Sequence, residues 1–591
     1  MLCRLFLYNF KIFLMFEILI KYIYNGIISR IFKKKKNYTE EMMAVNYHKN
    51  EKRFYNFREI INYSAAHYAK NTAFQVKTKS GEIKNITYAE LKDLYYGLCT
   101  KFIKMGYLGK RIAVSGANCF EWALSYLCAS TVGVVVPIDK ELQAEDVRDF
   151  MNSADCVAIC TENAKIEALK GVVTRDVNYI SFDSIRSMAS ESINTSLVDD
   201  IEIGKDEMRI FTSGTTGSSK GVCLSQNNLC ANIHQTVSMF SVKDSDKTLS
   251  ILPLHHTYEC TLDFVLFLTR GAQICYCDGL TKVQKNMLEY SPSILVVVPA
   301  LLKVLNKRIK AKIAADCPKK YKEYFENESL ASALSKTPFI IRKVICSKVK
   351  KSLGGKLRVF IVGAAELDTQ LVEDFGALGI RTLQGYGLTE CSPLLAGNND
   401  FHLNVASTGE AIPGVELKID NPNEEGIGEI LARGENIMLG YYNDPEATEA
   451  VFRDGWFCTG DLGYMDENGD LFIKGRIKNV IVTENGKNIY PEELETRLSE
   501  FPEIGEVLVF GTKENGESFV KAKIFPNLDY LKEKLGRQPS KDDTESAIQK
   551  AVKAVNKKIP GYKHIKIVEV LTSALEKTTT QKIKRFGKNI K

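Results

Sequence analysis

Phe211-Thr212-Ser213-Gly214-Thr215-Thr216-Gly217-Ser218-Ser219-Lys220-Gly221 follows the apolar Ile210 and decides how the chain is read. Glycines permit backbone angles that turn consecutive N–H groups towards one anion. The hydroxyls add donors, and Lys220 adds a compact charge suited to phosphate. The loop is not of the Walker A type, because Ser219 stands where that pattern requires its second glycine. A flexible surface linker would need neither the lysine nor the apolar run before it.

Working outward, helical stretches alternate with short apolar runs. Arg111–Val114, Gly133–Ile138, Ile294–Val298 and Leu357–Val362 read as buried strands, and Phe120–Thr131 reads as a helix between two of them. This alternation predicts α/β layers with largely parallel sheets. At about 100–200 residues per domain, 591 residues predict more than one domain. Hydrophobic residues make up 45%, charged residues 26% and aromatics 10%, which excludes disordered, collagenous and polytopic membrane classes. A net charge of +7 does not point to a nucleic-acid binder. Fifteen cysteines are scattered without a CxxC pair and only seven histidines are present, so no zinc spacing is seen. The thiols read as reduced core residues of a cytoplasmic protein.

Further motifs follow the loop. They are Gly363-Ala364-Ala365 after a strand, Gln384 with Gly385-Tyr386-Gly387-Leu388-Thr389-Glu390, Gly455 to Asp461, Gly475-Arg476, and Asn485 to Glu493. Gly385 to Glu390 reads as a tight turn carrying an aromatic that can pack on a purine, a hydroxyl for phosphate, and a carboxylate that can hold Mg²⁺ with phosphates and water. Asp461 offers acceptors for vicinal hydroxyls, as on a ribose.

Together these motifs, spread over residues 55 to 591, resemble the adenylate-forming (AMP-binding) superfamily, and within it the long-chain fatty acyl-CoA synthetases. The resemblance implies an α/β fold with a large N-terminal domain of layered sheets and helices, 41–477, and a small mobile C-terminal α+β domain, 478–591. It implies that Thr212, Ser213, Gly214, Thr215, Thr216, Gly217 and Lys220 hold the ATP phosphates. Gly363, Ala364 and Ala365 become an adenine platform, with Gln384, Gly385, Tyr386 and Gly387 beside it. Thr389 is assigned to the α-phosphate, Glu390 to Mg²⁺, Asp461 to the ribose, and Arg476 to the nucleotide. Lys478 takes the hinge position and Gly486 borders the pantetheine path of coenzyme A. Lys577 to Arg585 resembles the loop of the catalytic lysine. Lys582 is preferred to Lys584 there because it keeps the spacing between Lys577 and Arg585.

Leu252 to Glu259 resembles the segment bordering the acyl pocket, with His256 as a wall and Tyr258 where amino-acid-activating relatives place an aspartate. The apolar run Thr261 to Leu268 suits an aliphatic tail. The implied activity is conversion of a fatty acid to an acyl-adenylate and then, with CoA, to acyl-CoA, AMP and pyrophosphate. An acyl-acyl carrier protein ligase shares the first half-reaction, and a non-catalytic nucleotide sensor on the same fold is the distant alternative.

Two segments fall outside these motifs. Residues 1–40 are apolar and end in Lys33 to Lys36, with Lys11, Glu17 and Lys21 forming a polar stripe. They read as an interfacial helix, a tilted anchor, or a start site placed ahead of Met42 or Met43. Residues 303–358 hold sixteen Lys/Arg against four acids, a net of +12. That segment reads as a solvated helix pair or as a basic face for phosphate, anionic lipid or an acidic carrier. The implied placement is cytoplasmic, with peripheral membrane contact through residues 1–40 and 303–358.

Overall fold

In a computed structural model of the chain, the described residues are 51–78, 80–204, 206–212, 220–483, 487–514, 517–577, 583–585 and 587–590. Residues 1–40 lie outside them.

Seven strands form one sheet in the order Gly440–Tyr441, Lys220–Leu224, Met208–Thr212, Val134–Ile138, Arg111–Ser115, Cys156–Thr161 and Asn178–Ser181. The last five run parallel, and the first three are joined antiparallel. A nine-stranded sheet contains the predicted strands Ile294–Val297 and Val359–Val362, parallel and in register from Ile294↔Val359 to Val297↔Val362. All four residues of Ile294–Val297 are buried. Strands covered on both faces read as continuous apolar runs, which is why these two were visible. The helix Phe120–Val132 is buried at every position except Glu121, the pattern of a helix enclosed between layers.

A five-stranded antiparallel sheet follows, built on Trp456–Met465, which pairs with both Gly428–Arg433 and Leu471–Arg476. The chain then forms a smaller unit. A three-stranded sheet of Ile504–Glu514, Glu517–Pro526 and Ile565–Val570 shares a core with the helices Pro491–Ser499 and Lys541–Asn556.

Two expectations need correction. Gly385 to Glu390 is not itself a tight turn. Gly385, Tyr386 and Gly387 are extended and pair with Leu394–Gly397, and the reversal falls at Thr389–Ser392. A Cβ on Gly387 would lie 1.9 Å from the Pro393 carbonyl oxygen, so only glycine permits this pairing. Residues 303–358 are not a helix pair. They span helices ending at Asp316 and Ser352 with Lys319–Asn327 and Leu330–Ser335 between, and Leu305, Ile309, Phe325, Leu334 and Ile345 help to build a second core. Thr261 to Leu268 is buried throughout and packs into the main core, with the Phe264 ring 6.2 Å from Phe74.

Candidate active site

The strands Met208–Thr212 and Lys220–Leu224 pair with Thr212 opposite Lys220, so the intervening loop closes a hairpin. Ser213, Gly214, Thr215, Thr216 and Gly217 lie outside the described residues, as does the side chain of Thr212. Lys220 stands at the hairpin's end. The strand Gly440–Tyr441 adds to the same edge, with Tyr441 opposite Val222. The Tyr442 N–H donates to the Gly221 carbonyl at 2.7 Å. This register places the Tyr441 ring 4.5 Å from Lys220 Nζ. Both residues line a cavity of about 570 Å³ with Phe211, Gly221 and Tyr442.

The helix Gln226–Val237 begins at once after the hairpin, through a capping box between Ser225 and Asn228. Asn228 Nδ2 also donates to the carbonyls of Glu435 and Ile437, at 2.6 and 3.0 Å. The cap thereby ties the hairpin to the segment leading to Tyr441.

Tyr441 reaches further. Its hydroxyl donates to Glu390 Oε1 at 3.0 Å. Burial and the neighbouring Glu390 push its phenol pKa well above the ordinary value, so it remains a donor. Lys220, Tyr441 and Glu390 therefore form one line from the hairpin to the short 3₁₀ turn Thr389–Cys391. The Met438 N–H bonds the Glu390 carbonyl at 2.8 Å and fixes that turn.

A second line faces the first. Asp461 and Arg476 are opposite one another on paired strands, and Arg476 Nε lies 2.7 Å from Asp461 Oδ1. The Tyr386 hydroxyl donates to Asp461 Oδ2 at 2.7 Å. Burial, then Asp461, holds the Tyr386 phenol protonated. A carboxylate has about four acceptor positions, and these two partners take one on each oxygen. Arg476 also lies in the field of Glu390 and Tyr441, so the two lines share one electrostatic environment.

Gly363, Ala364 and Ala365 follow the strand Val359–Val362 at the same sheet end. Ala364 and Ala365 are exposed, and Ala364 is held at φ 70°. Gly363 leaves room for Tyr258, whose ring a Cβ would meet at 3.1 Å. The Tyr258 hydroxyl donates to the Ile361 and Val297 carbonyls at 3.0 and 3.3 Å. Tyr258 thus braces the loop that begins at Gly363. Gln384 lies on the adjacent strand opposite Val362.

Glu259 turns away from Tyr258 into the core. It accepts from Ser250 Oγ at 2.7 Å and from the Ile251 N–H at 3.0 Å. Both bonds fall on Oε1, and the residue is fully buried. His256 precedes the helical turn Thr257–Glu259, and its ring lies 4.0 Å from that of His255. Burial, then the charges of Lys140 and Lys165, lower His255 to about 3, so its 3.5 Å contact with Asp139 is made by a neutral ring.

The smaller unit touches this site. Glu492 at the start of Pro491–Ser499 packs on Gly475, where a Cβ would meet its carboxylate at 2.6 Å. Asn479 Nδ2 donates to Glu492 at 2.6 Å, and Thr496 donates to Glu366 beside the platform at 2.6 Å. Lys478 lies exposed in the 3₁₀ turn Ile477–Asn479. Gly486 and Lys582 lie outside the described residues. The flanks of Lys582 are anchored: Lys577 pairs with Glu506 at 2.6 Å, and Arg585 pairs with Glu495 and donates to the Val509 carbonyl.

Tyr441 was not anticipated from sequence. It lies 221 positions from Lys220 and 51 from Glu390, and only the sheet brings the three together.

The model for AMP-binding enzymes matches residues 61–442, and the model for the AMP-binding enzyme C-terminal domain matches residues 478–587. The chain belongs to the AMP-binding enzyme family. Among curated relatives, a long-chain-fatty-acid–CoA ligase of Mycobacterium bovis (FadD15) is 30% identical over 466 residues, which is 72% of this chain and 75% of that protein. A long-chain-fatty-acid–CoA ligase of Mus musculus (ligase 5) is 29% identical over 503 residues, 76% of this chain and 72% of that one. The fold matches the crystal structure of the anthranilate CoA ligase AuaEII in complex with anthranoyl-AMP. The TM-score is 0.70 at 19% identity, over 90% of this chain and 96% of that chain.

Proposed function

We propose that this enzyme is an ATP-dependent long-chain fatty acid–CoA ligase. The observation that carries the reading is the pairing of the two lines, Lys220–Tyr441–Glu390 and Tyr386–Asp461–Arg476, in one family fold. The first offers a cation and a carboxylate to a polyphosphate, and the second offers an oriented carboxylate to ribose hydroxyls. The names of the curated relatives support a long aliphatic acid as substrate.

The fatty acid carboxylate attacks the α-phosphorus of ATP. The new bond joins acyl oxygen to phosphorus, the bond to the β-phosphate oxygen breaks, and pyrophosphate leaves. Lys220 and the hairpin loop neutralise the departing charge, and Thr389 holds the α-phosphate. Lys582 stabilises charge growing at that phosphorus. In the second step the CoA thiolate attacks the acyl carbon, AMP leaves, and the small domain has turned about Lys478 to open a path beside Gly486. No protein nucleophile is needed, because the anhydride supplies activation and the chain supplies alignment.

The residues present fit a magnesium ion. Among the described residues no cluster of three His, Cys, Asp or Glu side chains exists, which disfavours an all-protein metal cage. Glu390 offers one carboxylate beside the phosphate lysine, and Mg²⁺ is held by one or two carboxylates plus substrate phosphates. Bound there, it would offset phosphate charge.

A fatty acid partitions into bilayers, so contact with a membrane surface accompanies this reading. The test is carboxylate-dependent pyrophosphate release across acids from acetate to oleate, with CoA or acyl carrier protein as acceptor. Highest kcat/KM for long chains with CoA is expected. Preference for acetate, aryl acids or amino acids contradicts the substrate, and turnover with the carrier alone moves the acceptor.

A further inference from the structure

We propose that the outer face of the helix Phe339–Ser352 is a docking surface for an anionic lipid bilayer. Phe339 is 66% exposed, Ile340 76% and Val344 49%. Single exposed apolar residues are ordinary on protein surfaces. These three share one face with Lys343, Ser347, Lys348 and Lys351, all exposed and spaced three or four apart along the helix. The opposite face carries Ile345 and Val349, which are buried in the second core. The helix is therefore fixed to the fold on one side and presents apolar and cationic groups on the other.

Charge selects the occupant. The helix contains no acidic residue, and Lys343, Lys348 and Lys351 form no ion pair among the described residues. Elsewhere in the segment, Lys336 is neutralised by Glu328 at 2.6 Å. Phe339 and Ile340 form the helix's first turn just after Pro338, so the apolar groups sit at one end and the lysines extend along the face. An interfacial helix combines these features: apolar groups enter the acyl boundary while lysines reach headgroup phosphates. A soluble acidic protein would match the lysines and leave the exposed Phe339–Ile340 pair without a partner. The ligase reading explains why such docking is useful, since the acid substrate resides in bilayers, but the surface argument stands without it. Vesicle binding measures no turnover, so the two readings fail separately.

The test is Ile340→Trp in the full chain, with fluorescence read on phosphatidylglycerol and on phosphatidylcholine vesicles carrying brominated acyl chains. On the anionic vesicles the position-340 signal is expected to shift to the blue and to be quenched, while the parent chain's Trp122 and Trp456 signals are unchanged. Adding Lys343→Gln, Lys348→Gln and Lys351→Gln should raise the lipid concentration for half-binding by on the order of a hundredfold, at about fivefold per lysine. Circular dichroism and the unfolding midpoint of the variants report that the fold is retained. Binding without quenching at position 340, equal quenching on neutral vesicles, no binding at all, or capture of acyl carrier protein in place of vesicles would each overturn the proposal.

Discussion

The Tyr441 hydroxyl donates to Glu390 Oε1 at 3.0 Å while the Tyr441 ring lies 4.5 Å from Lys220 Nζ. One side chain thus couples the position of Lys220 to that of Glu390, the residues proposed for phosphate and magnesium. Hydrogen bonds to charged groups contribute about 1.5–3 kcal/mol. Tyr441→Phe keeps the ring and loses the bond, so kcat/KM should fall by roughly ten- to a hundredfold, with the Mg²⁺ requirement moved to higher concentration. Titrating pyrophosphate release against Mg²⁺ checks this. An unchanged Mg²⁺ midpoint contradicts the coupling.

Asp461 is oriented from both sides, by Arg476 at 2.7 Å and by Tyr386 at 2.7 Å. Tyr386→Phe leaves the buried carboxylate with one partner fewer, a change of about 1–3 kcal/mol. The KM for ATP should rise about five- to a hundredfold, with a smaller effect on kcat. Arg476→Lys loses the planar fork and should weaken ATP in the same direction. Initial rates over an ATP series separate the two constants. An effect on kcat alone would remove Asp461 from ground-state nucleotide binding.

Asp263 is fully buried and its carboxyl is pushed up to about 7, chiefly by burial, against opposing hydrogen bonds from Thr248 and Glu259. An unfolded aspartate titrates near 4. Between about pH 4 and 7 the folded chain therefore keeps a proton that the unfolded chain releases. Stability from this group is complete below that window and declines as pH rises through it, by up to about 1.4 kcal/mol per unit. Asp263→Asn removes this group's share of the decline and leaves that of the buried Glu259 beside it, so the variant should gain on the parent from pH 5 to pH 8. Urea midpoints at the two values measure it, and a constant difference would refute the shift.

Gly387→Ala sets a methyl group where the Pro393 carbonyl oxygen lies 1.9 Å away. Overpacking of this kind costs about 1–3 kcal/mol. The pairing of Gly385–Gly387 with Leu394–Gly397 should open, lowering the unfolding midpoint and displacing Tyr386 and Glu390 together. Calorimetry with an ATP titration reads both, and unimpaired ATP binding would show that the strand does not position the site.

What could be read from the chain alone followed physical range. Ile294–Val297 and Val359–Val362 were legible because strands buried on both faces are apolar at every position. Strand Val359–Val362 starts two residues later than its apolar run predicted. The Arg358 side chain pairs with Asp246 at 2.7 Å and donates to the Ser241 carbonyl at 2.7 Å, while its backbone still bonds Ser293 and Arg381 on the flanking segments, so the difference is only in where the strand's end is drawn. The strand ahead of the loop that ends at Lys220 was legible from the apolar Ile210-Phe211. Tyr441 was not, since its role arises from strand addition at a sheet edge. The bonds of Tyr258 to Ile361 and Val297 were not legible, because a tyrosine beside a histidine carries no sign of which carbonyls its hydroxyl will meet. The reversal at Thr389–Ser392 was missed because glycines signal turns and close strand contacts alike.

The most direct measurement is product analysis after a single turnover of ATP, oleate and CoA on the purified chain, beside Lys220→Ala. The proposed function predicts AMP, pyrophosphate and oleoyl-CoA in equal amounts, with oleoyl-adenylate accumulating when CoA is withheld and all products strongly reduced in Lys220→Ala. Formation of ADP and inorganic phosphate, or an adenylate yield independent of the fatty acid, would contradict it.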